Sequence, residues 1–413
     1  LVLLFLLALP CLAFSQEEKE KKKSQEKMEK ITEEILVIGK APKELPVSTV
    51  TNLDSKKIEL LKPLDLSQVI KFAPGVTVTA GDKDTFTLKL RGMDSKRIAL
   101  LLDGIPVYEP YFSSFDLKTV AAAGIDSLQI SKGPSSVLYG PNTLGGIVNV
   151  ITRRPGPDPD LSLNATYGEK NARSLGLNSA FQLNHFSFAG SLLFQDSQGF
   201  YYRDKDGERI LRANSDYQRL NLNAKLYYTP SSQTEILINA GLYQSDYGMP
   251  ADLFSSRPRY WRFKNWDRYT INAGGYTAIG DRSLLRFRAF YVQYNNTLDQ
   301  FKDKEMTKRQ FESTYDNSVY GLFALGDFAL SEANSLKLSL TYQNDKARTQ
   351  DDVNFPWNKY QQGTFSAGLE DHFTFAQKWK LIVGLSLDYL DKFIGKNTSK
   401  FNPLLGIKFS PTD

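Results

Sequence analysis

The sequence predicts a mainly β protein, in which a small α+β domain precedes an antiparallel transmembrane β-barrel. Three observations lead to this fold class. From about residue 158 onward, apolar and polar residues alternate along many segments, as strands with two different faces require. The gaps between these segments are short and long in turn, which is typical of a barrel with tight turns at one rim and long loops at the other. An apolar run at the start of the chain indicates export.

Length, composition and charge narrow the class of protein. The chain has 413 residues, enough for more than one domain. Its apolar fraction of 41% and aromatic fraction of 12% argue against general disorder. The 51 basic and 46 acidic residues give a net charge of only +5, which is too balanced for a nucleic-acid-binding surface. We therefore expect no nucleic-acid partner.

The first fifteen residues resemble part of a secretory signal peptide. The run LVLLFLLALPCLAFSQ is too short to span a bilayer but fits the apolar core of such a signal, with small residues at Ala13 and Ser15 for cleavage. The charged start of a signal is missing before Leu1, so we expect the N-terminus to be incomplete. Lipid attachment at Cys11, the single cysteine, is an alternative that Pro10 disfavours. Removal of Cys11 would exclude disulfides, thiolate metal sites and cysteine catalysis.

Residues 16–39 form a charged tether that ends in a β-prone segment. The stretch from Glu17 to Glu34 mixes lysine and glutamate with almost no apolar residues, which is typical of a solvated tether. The segment Glu33–Gly39 that follows is short and β-prone. It can pair with the exposed sheet edge of a partner, or it can be the first strand of the next domain. The residues alone leave both alternatives open.

Residues 40–156 read as a compact α+β domain. Asp54 is placed to cap a short helix through Leu61, and Asp65 with Gln68 resembles a capping box for a helix over residues 66–72. Strand-like segments follow at residues 76–79, 85–90 and 98–102, and a turn follows at residues 103–106. The continuous apolar run Ile98–Leu102 predicts a strand that is buried on both faces.

The stretch from Ile125 to Arg154 organises this domain as strand, turns and strand. Lys132, Gly133 and Pro134 break the first strand, because glycine adopts unusual backbone angles and proline lacks an amide donor. A second turn lies at Gly140, and Gly145–Gly146 allows close backbone approach before the β-branched run Ile147–Ile151. The stretch contains no nucleophile, general base or metal-ligand set, so its information is architectural.

Residues 157–413 carry the alternating pattern of the barrel. It is clear in the sets Leu161/Leu163/Ala165/Tyr167, Ile236/Ile238/Ala240/Leu242, Leu285/Phe287/Ala289/Tyr291 and Leu381/Val383/Leu385/Leu387/Tyr389. These apolar faces often end in an aromatic residue, as the aromatic girdle of a membrane barrel requires. Tight turns are predicted at residues 229–233, 280–283 and 331–334, and long loops at 196–216, 245–266, 296–315 and 344–360. We count roughly a dozen strands.

At this point the chain resembles the TonB-dependent outer-membrane receptors over nearly its whole length. The order of its motifs carries the resemblance: LKLRG, then LLLDGIP, then IDSLQISKGP, LYG and GGIVNVI. The positions that match the plug motifs of this family are Arg91, Gly92, Asp103, Gly104, Lys132, Gly133, Pro134, Tyr139, Gly140, Gly145, Gly146 and Asn149. Lys132 stands where the family usually has arginine, so we expect a single-point contact with a barrel carboxylate in place of a bidentate one.

The resemblance implies a fold and a mode of action. Residues 40–156 would be a plug inside a barrel of about 22 strands, so that this chain, with about a dozen, is expected to be truncated. The segment formed by Glu34, Ile35, Leu36, Val37 and Ile38 resembles a TonB box, the peptide that adds a strand to the energy-coupling partner TonB. The implied function is active import of a scarce nutrient chelate across the bacterial outer membrane, most readily a ferric siderophore, with cobalamin or another nutrient as the alternative.

Two groups of residues are candidates for ligand binding. The predicted loop 245–266 combines cationic and aromatic residues, which suit an anionic, ring-bearing ligand: Arg257, Arg259, Tyr260, Trp261 and Arg262. The same residues could instead contact lipopolysaccharide or anchor the barrel in the membrane interface. Tyr108, Glu109 and Tyr111 follow the turn at residues 103–106 and could form the plug apex, or a packed internal loop.

Other functions receive less support from the sequence. With only His185 and His372, both near turns or strand ends, a histidine-based haem site is disfavoured. A passive porin or adhesin would lack residues 40–156, and an enzyme would need a catalytic set that shows no motif spacing here. We therefore expect no catalytic residues, no metal site and no cofactor, with TonB, a small ligand and outer-membrane lipid as partners.

Overall fold

The computed structural model describes residues 49–61, 63–81, 83–133, 136–280, 282–375, 378–392 and 395–409. The predicted signal peptide, the charged tether, the segment Glu34–Ile38 and Pro134 lie outside the described residues. Two regions make up the described chain. We call residues 49–152 the plug region and residues 160–409 the barrel region.

The plug region contains seven strands and two short α-helices within the described residues. In chain order they are β1 (Thr49–Asp54), α1 (Ser55–Leu61), α2 (Leu66–Ile70), β2 (Val76–Ala80), β3 (Phe86–Leu90), β4 (Ile98–Leu102), β5 (Ile105–Pro106), β6 (Ile125–Lys132) and β7 (Gly146–Thr152). Five of the strands form a mixed sheet in the order β1-β6-β7-β4-β5, in which only β4 and β7 are parallel. Strands β2 and β3 form a separate hairpin.

The predicted helix caps are present, with one difference. The Asp54 carboxylate accepts a hydrogen bond from Lys57 N at 2.9 Å, and Asp65 accepts from Ser67 N at 3.0 Å. Gln68 reaches back to Leu64 N at 3.0 Å, so the predicted capping box is shifted by one residue. Helix α2 ends two residues before the predicted boundary, because the chain turns ahead of Pro74. In the described ranges, no helix is long and apolar enough to cross a membrane.

The plug region has an ordinary apolar core. Strands β6 and β7 contribute Leu128, Ile130, Val148 and Val150, which are almost fully buried. Helix α2 contributes Leu66, Val69 and Ile70 to the same core. Gly146 begins β7 with φ of +130°, and a Cβ there would lie 2.0 Å from the Ser131 carbonyl oxygen. Close approach of the two strands therefore requires glycine at this position.

The barrel region is one antiparallel sheet of twelve strands, which confirms the predicted number. The strands are β8 (Asp160–Tyr167), β9 (Arg173–Leu183), β10 (Phe186–Ser197), β13 (Tyr217–Ser231), β14 (Thr234–Met249), β15 (Tyr260–Ile279), β16 (Ser283–Phe301), β17 (Arg309–Ala329), β18 (Asn334–Gln350), β19 (Asn358–Phe375), β20 (Trp379–Lys392) and β21 (Thr398–Phe409). Each pairs with its neighbours in sequence, apart from a small hairpin of β11 (Tyr201–Arg203) and β12 (Arg209–Leu211) between β10 and β13.

The two faces of this sheet are inverted relative to a soluble protein. Apolar side chains such as Leu163, Ile271 and Leu340 point outward and are exposed. Polar and charged side chains such as Lys225 and Asn239 point inward and are buried. Because only a lipid environment favours an exposed apolar face of this size, the arrangement is that of a transmembrane barrel wall.

Aromatic side chains mark both edges of the apolar band. Near the short turns, Trp379 packs on Phe409 with ring centroids 4.5 Å apart, and Phe375 stacks on Trp379 at 6.2 Å. Near the long loops, Tyr342 and Tyr389 are exposed on the same outer face. The stretch from Trp379 to Tyr389 matches the roughly 9–11 residues that a tilted strand needs to cross the hydrocarbon core.

The predicted alternation of short turns and long loops is correct, but the predicted long loops were too long. Strands β14 and β15 extend to Met249 and from Tyr260, so their loop is residues 250–259 and not 245–266. Two other loops shrink likewise, from 296–315 to 302–308 and from 344–360 to 351–357. The remaining one, predicted at 196–216, spans residues 198–216 and contains the β11–β12 hairpin. The alternation of apolar and polar residues marks only the part of a strand that faces lipid. Backbone pairing continues above it, where both faces are polar.

Candidate functional site

Two of the plug motifs are tight turns with the same backbone conformation. Arg91 and Gly92 have φ of 49° and 83°, and Asp103 and Gly104 have φ of 51° and 82°. Positive φ at both central residues is the signature of the type I′ turn, which glycine tolerates at little cost. The second turn joins β4 to β5 and points the Asp103 side chain toward the barrel wall.

Asp103 is the centre of a buried contact between plug and barrel. Its carboxylate accepts hydrogen bonds from Thr152 N at 2.9 Å and Thr152 Oγ1 at 2.8 Å. Lys225 of β13 completes an ion pair with it at 2.9 Å, and both side chains are only 3% exposed. Arg288 of β16 donates to the Asp103 carbonyl, and Asn149 accepts from Gly104 N at 3.2 Å. The aspartate–glycine motif therefore docks the plug as well as forming its turn.

Two carboxylates of the barrel wall also hold the plug. Glu235 of β14 pairs with Arg154 at 2.6 Å, just beyond the end of β7. Glu370 of β19 accepts from Val137 N at 2.8 Å, from the Ser136 hydroxyl and from His372 Nε2 at 2.9 Å. These hydrogen bonds and the ion pair hold the plug against the barrel wall.

Lys132 does not show the expected contact among the described residues. Its Nζ donates to Thr51 Oγ1 at 2.7 Å on β1, inside the plug itself. Burial lowers the pKa of the Lys132 ammonium, and nearby Arg91 lowers it further. The barrel carboxylate next to this part of the plug, Glu370, is contacted by Ser136 and Val137 instead.

The remaining plug-motif residues shape the segment between β6 and β7. Gly133 and Gly140 adopt φ of 103° and 75°, and Gly140 N closes the turn on Val137 O. Gly145 N donates to Arg97 O at 2.8 Å, which ties the segment to the start of β4. The Tyr139 side chain points toward Arg286 of the barrel wall, and its hydroxyl is buried.

Tyr108 reaches from the plug to the barrel wall. Its hydroxyl donates to Asp345 Oδ1 of β18 at 2.6 Å and accepts from Gln343. Burial raises the pKa of the Tyr108 phenol well above its usual range, so the side chain is a neutral donor. The geometry agrees with the alternative of a packed internal residue more closely than with an open ligand contact.

Glu109 builds the tip of the plug loop. Its carboxylate accepts from Tyr111 N at 2.9 Å and from Phe112 N at 2.7 Å, and Asn317 of β17 donates to it as well. Burial raises the pKa of the Glu109 carboxyl, and these hydrogen bonds oppose that effect. Because its oxygens are already used, Glu109 presents the neighbouring aromatic residues and is not itself placed to bind a ligand.

Tyr111 lies in an exposed aromatic cluster that we call the apex cluster: Lys83, Tyr111, Phe112, Tyr315 and Tyr360. Tyr111 is 43% exposed and packs 5.4 Å from Tyr315 and 5.8 Å from Tyr360, measured between ring centroids. Lys83 Nζ lies 4.7 Å from the Phe112 ring and 4.8 Å from the Tyr315 ring. The cluster joins plug and barrel at the rim that carries the long loops, and it combines open ring faces with a cation.

The second candidate group is largely occupied by contacts within the barrel. Arg262 pairs with Asp216 and with Asp246, each at 2.8 Å. The Trp261 indole donates to Gln300, and Asn214 donates to the Trp261 carbonyl. Tyr260 and Trp261 lie on strand β15 and not in the predicted loop. Trp261 and Arg262 therefore brace neighbouring strands, and Tyr260 pairs opposite Phe301 of β16.

Arg257 and Arg259 remain exposed in the loop of residues 250–259. Arg259 stacks on Trp261 with its guanidinium 4.9 Å from the ring, and Arg257 N donates to Ser255 Oγ. This part of the candidate group lies over β15, whereas the apex cluster rests against β17 and β19. The structure thus places the two predicted groups in different parts of the rim.

No separate metal centre stands out in the described part of the chain. None of its histidine, cysteine, aspartate and glutamate side chains form a group of three or more that could hold a metal ion. The His185 ring bonds the Thr229 carbonyl at 3.0 Å, and His372 bonds Glu370.

Sequence reasoning missed Lys83, Tyr315 and Tyr360, which complete the apex cluster. Arg268 of β15 also contacts the plug, since its buried guanidinium donates to Thr119 Oγ1 and Thr119 O at 2.8 and 3.1 Å. The one available signal was that Tyr315 and Tyr360 lie at the loop ends of alternating segments, where inward-facing aromatic residues meet the plug.

Comparisons with known proteins agree with this geometry. The family model TonB-dependent Receptor Plug Domain matches residues 42–147. The iron-regulated outer membrane virulence protein of Vibrio cholerae serotype O1 is 25% identical over 382 residues, which covers 88% of this chain and 54% of that protein. The vitamin B12 transporter BtuB of Vibrio vulnificus is 28% identical over 159 residues, 38% of this chain and 25% of that protein. The chain thus matches about half the length, or less, of these curated relatives.

Solved structures share the fold. The FrpB iron transporter from Neisseria meningitidis matches 90% of this chain and 64% of its own chain, with a TM-score of 0.74 at 15% identity. The siderophore receptor PirA from Acinetobacter baumannii matches 92% and 61%, with a TM-score of 0.72 at 16% identity. All of these proteins are named as transporters, receptors or outer-membrane proteins and none as an enzyme. Residues 42–147 thus match the plug domain of TonB-dependent receptors, and the chain shares its fold with these transporter and receptor structures.

Proposed function

We propose that the protein imports a scarce nutrient chelate across the outer membrane by energy-coupled transport. The observation that carries the proposal is a plug region docked on the inner face of the barrel wall through buried ion pairs, with the exposed apex cluster at the long-loop rim. A lumen occupied in this way does not serve free diffusion, which disfavours the alternative of a passive porin or adhesin. The exposed aromatic rings of the apex cluster, at the long-loop rim, suit the capture of a ligand before it is transported.

Ligand capture is assigned to the apex cluster. Tyr111 and Phe112 offer exposed rings, and Lys83 supplies a positive charge between Phe112 and Tyr315. Aromatic faces with a cation suit an anionic, ring-bearing ligand, for which a ferric siderophore is the first candidate. Arg257 and Arg259 of the second group remain exposed in the loop before β15 and could contribute from that part of the rim, or contact lipopolysaccharide. The other residues of that group are engaged in the barrel.

Cobalamin is the alternative ligand within the same family. The relatives include proteins named for vitamin B12 and for iron, so similarity alone does not choose between these nutrients. A histidine-ligated haem has less support, because His185 and His372 both take part in contacts within the barrel. The charge of Lys83 favours the anionic chelate.

Energy coupling is assigned to the segment Glu34–Ile38. In the proposed domain organisation, residues 1–15 are removed on export, residues 16–39 tether this segment in the periplasm, residues 40–156 form the plug and residues 157–413 are barrel wall. Strand addition by the segment would let TonB pull on the chain that leads into β1. Outer-membrane lipid would cover the exposed apolar band of the barrel.

Growth of a receptor-deficient strain tests the proposal. The strain would carry the full-length gene and receive ferric siderophores or cobalamin one compound at a time. We expect one class of chelate to restore growth, and ferric siderophores are the class expected. Failure of every chelate, or equal growth with uncharged nutrients that need no receptor, would contradict import of a specific ligand.

Apex variants then locate the binding surface. Replacement of Tyr111 and Phe112 by alanine removes two exposed rings, and we expect binding of the growth-supporting chelate to weaken by roughly tenfold or more. Phe254→Ala is the matched control, because this ring is 95% exposed in the loop of residues 250–259 and lies outside the cluster. Equal loss in both proteins, or none in the apex variant, would count against the assignment.

A further inference from the structure

A cavity of about 360 Å³ lies between the plug region and the barrel wall. On the plug side it is lined by the turn at Gly104, by Tyr108 and by Tyr139. On the barrel side it is lined by inward-facing residues of β16, β18 and β19. Arg286 lies close to the short turn between β15 and β16, whereas Asp345 lies toward the long-loop end of β18. The lining thus extends along the wall, and its volume suits a small molecule or one arm of a larger ligand.

Two arginines of β16 face this cavity with unused hydrogen-bonding capacity. Arg286 and Arg288 are each 4% exposed and share one face of the strand, since they are two residues apart. Across the described residues, no partner reaches Nε, Nη1 or Nη2 of Arg286, or Nε and Nη2 of Arg288. Only Arg288 Nη1 is used, by the Asp103 carbonyl. Buried guanidinium groups without protein partners are costly, so a bound ligand with acceptor oxygens would stabilise them.

The carboxylates closest to these arginines are already engaged. Asp327 pairs with Lys337 at 2.5 Å, and the Asp103 carboxylate pairs with Lys225. Asp345, which lines the far end of the cavity, accepts from Tyr108 and Gln343. None of these three described carboxylates is therefore free to match the positive charge of Arg286 and Arg288.

Two neutral donors complete the set. Tyr139 and Ser366 both line the cavity, and the hydroxyl of each is buried without a hydrogen-bond partner among the described residues. Burial raises the pKa of the Tyr139 phenol well above its usual range, so it keeps its proton and can donate it in a hydrogen bond. Gly140 brings the plug close to this position, since a Cβ there would lie 3.4 Å from Ser366 Oγ.

The cavity is lined by two guanidinium groups and two hydroxyl groups that can donate hydrogen bonds. Such a set suits a ligand with several acceptor oxygens. We propose that Arg286, Arg288, Tyr139 and Ser366 form a binding site for a small oxyanion group, either a carboxylate or a phosphate, between the plug and the barrel wall. The guanidinium fork matches both groups in a bidentate geometry. The group can belong to a free anion or to an acidic arm of the imported chelate, and only the second source rests on the proposed function.

Titration of the full-length protein in detergent tests the site. Inorganic phosphate and citrate serve as probes at constant ionic strength, the first for a free anion and the second for a carboxylate-bearing chelator. We expect Arg286→Gln to weaken binding of the preferred probe by roughly tenfold or more. Arg282→Gln is the matched control, because it removes the same charge from the turn next to β16, where Arg282 is exposed and pairs with Glu332. Its binding is expected to equal that of the wild type.

A second variant keeps the test decisive if Arg286→Gln fails to fold. Tyr139→Phe removes one hydroxyl and keeps the ring, so we expect folded protein that binds the probe several-fold more weakly. No binding of either probe to the wild type, or the same affinity in wild type and in the folded variants, would overturn the proposal. These measurements use neither TonB nor an energised membrane, so their failure is distinct from a failure of import.

Discussion

The plug region and the barrel region distribute apolar and polar residues in opposite ways between their buried and exposed surfaces. In the plug, apolar side chains such as Leu128 and Val148 are buried, and the surface is mixed. In the barrel, Leu340 and its neighbours are exposed, while Lys225, Arg286 and Glu370 are buried. The plug therefore follows the pattern of a soluble domain. The barrel places apolar side chains toward lipid on its outer face and polar side chains toward the plug on its inner face. The same alternating pattern has opposite meanings in the two surroundings.

At the interface between the two regions, buried charges of the barrel wall need partners. A polar barrel interior needs partners for its charges, and the plug supplies several of them: Asp103 for Lys225, Arg154 for Glu235, and Ser136 with Val137 for Glu370. The turn and loop motifs of the plug are thus also its docking contacts. Apolar contacts add to these pairs, since Phe290, Val292 and Val319 of the wall pack in the same cluster as the plug core.

The largest effect is expected from breaking the buried ion pair. Lys225→Met leaves the Asp103 carboxylate buried without its counter-ion, which costs roughly 3–5 kcal/mol in comparable cases. We expect the plug of the full-length protein to become sensitive to protease while the barrel stays folded. Adding Asp103→Asn to Lys225→Met removes both charges and should restore part of the protection. Lys337→Met, whose partner Asp327 lies in the barrel wall, is the control that should spare the plug.

The second prediction concerns the exposed apolar face of the barrel. Leu340 is 54% exposed on β18, and Leu340→Arg would place a charge in lipid at a cost of roughly 2–4 kcal/mol in barrel stability. Leu253→Arg, equally exposed in the loop of residues 250–259, should change stability by less than about 0.5 kcal/mol. Unfolding of the full-length protein from lipid vesicles by denaturant measures both. Similar costs for the two variants would show that the apolar band does not face lipid.

A glycine in the plug makes the third prediction. Gly146→Ala combines an unfavourable φ of +130° with a Cβ placed 2.0 Å from the Ser131 carbonyl oxygen. We expect a loss of roughly 1–3 kcal/mol in plug stability, as measured by hydrogen exchange of β6 and β7. Gly156→Ala is the control, since nothing lies within 4 Å of its Cβ. Unchanged exchange in Gly146→Ala would mean that the two strands are less closely packed than described.

The smallest effect concerns pH. Burial raises the pKa of Asp116 to about 6, although Lys118 and the Phe86 amide favour its charged form. An acid whose pKa is higher in the folded state than in the unfolded one stabilises the fold when protonated. Its contribution is complete below the unfolded pKa of about 3.9 and is lost as the pH rises through about 6. Since the carboxyl is only partly buried, we expect the plug to lose roughly 1 kcal/mol between pH 4 and 7. The loss should be absent in Asp116→Asn, by hydrogen exchange at each pH.

Much of the fold follows from the sequence because its causes are local. Alternation gave the twelve strands, and the caps at Asp54 and Asp65 gave the two helices of the plug. Loop bounds were wrong because pairing continues past the apolar stretch, as in the extension of β15 to Tyr260. Where both faces of a strand are polar, apolar and polar residues no longer alternate, and the sequence does not reveal the strand.

The candidate site was less predictable because its contacts join distant parts of the chain. Tyr108 meets Asp345 across 237 residues of sequence, and no local pattern encodes how the plug is rotated within the barrel. Tyr111 was found from its position after a turn, but Tyr315 and Tyr360 become partners only through docking. Arg262 was chosen for its charge, and the structure shows that Asp216 and Asp246 neutralise it.

The central claim, energy-coupled import, is tested most directly by uptake of the growth-supporting chelate into cells with a proline in the segment Glu34–Ile38. Val37→Pro removes a backbone donor that strand addition to TonB would need, and Lys22→Pro makes the same change in the charged tether as a control. We expect Val37→Pro cells to bind the chelate at the surface as well as the wild type does but to accumulate none of it. Cells with Lys22→Pro should accumulate it normally. Full accumulation by the Val37→Pro cells would contradict coupling through this segment.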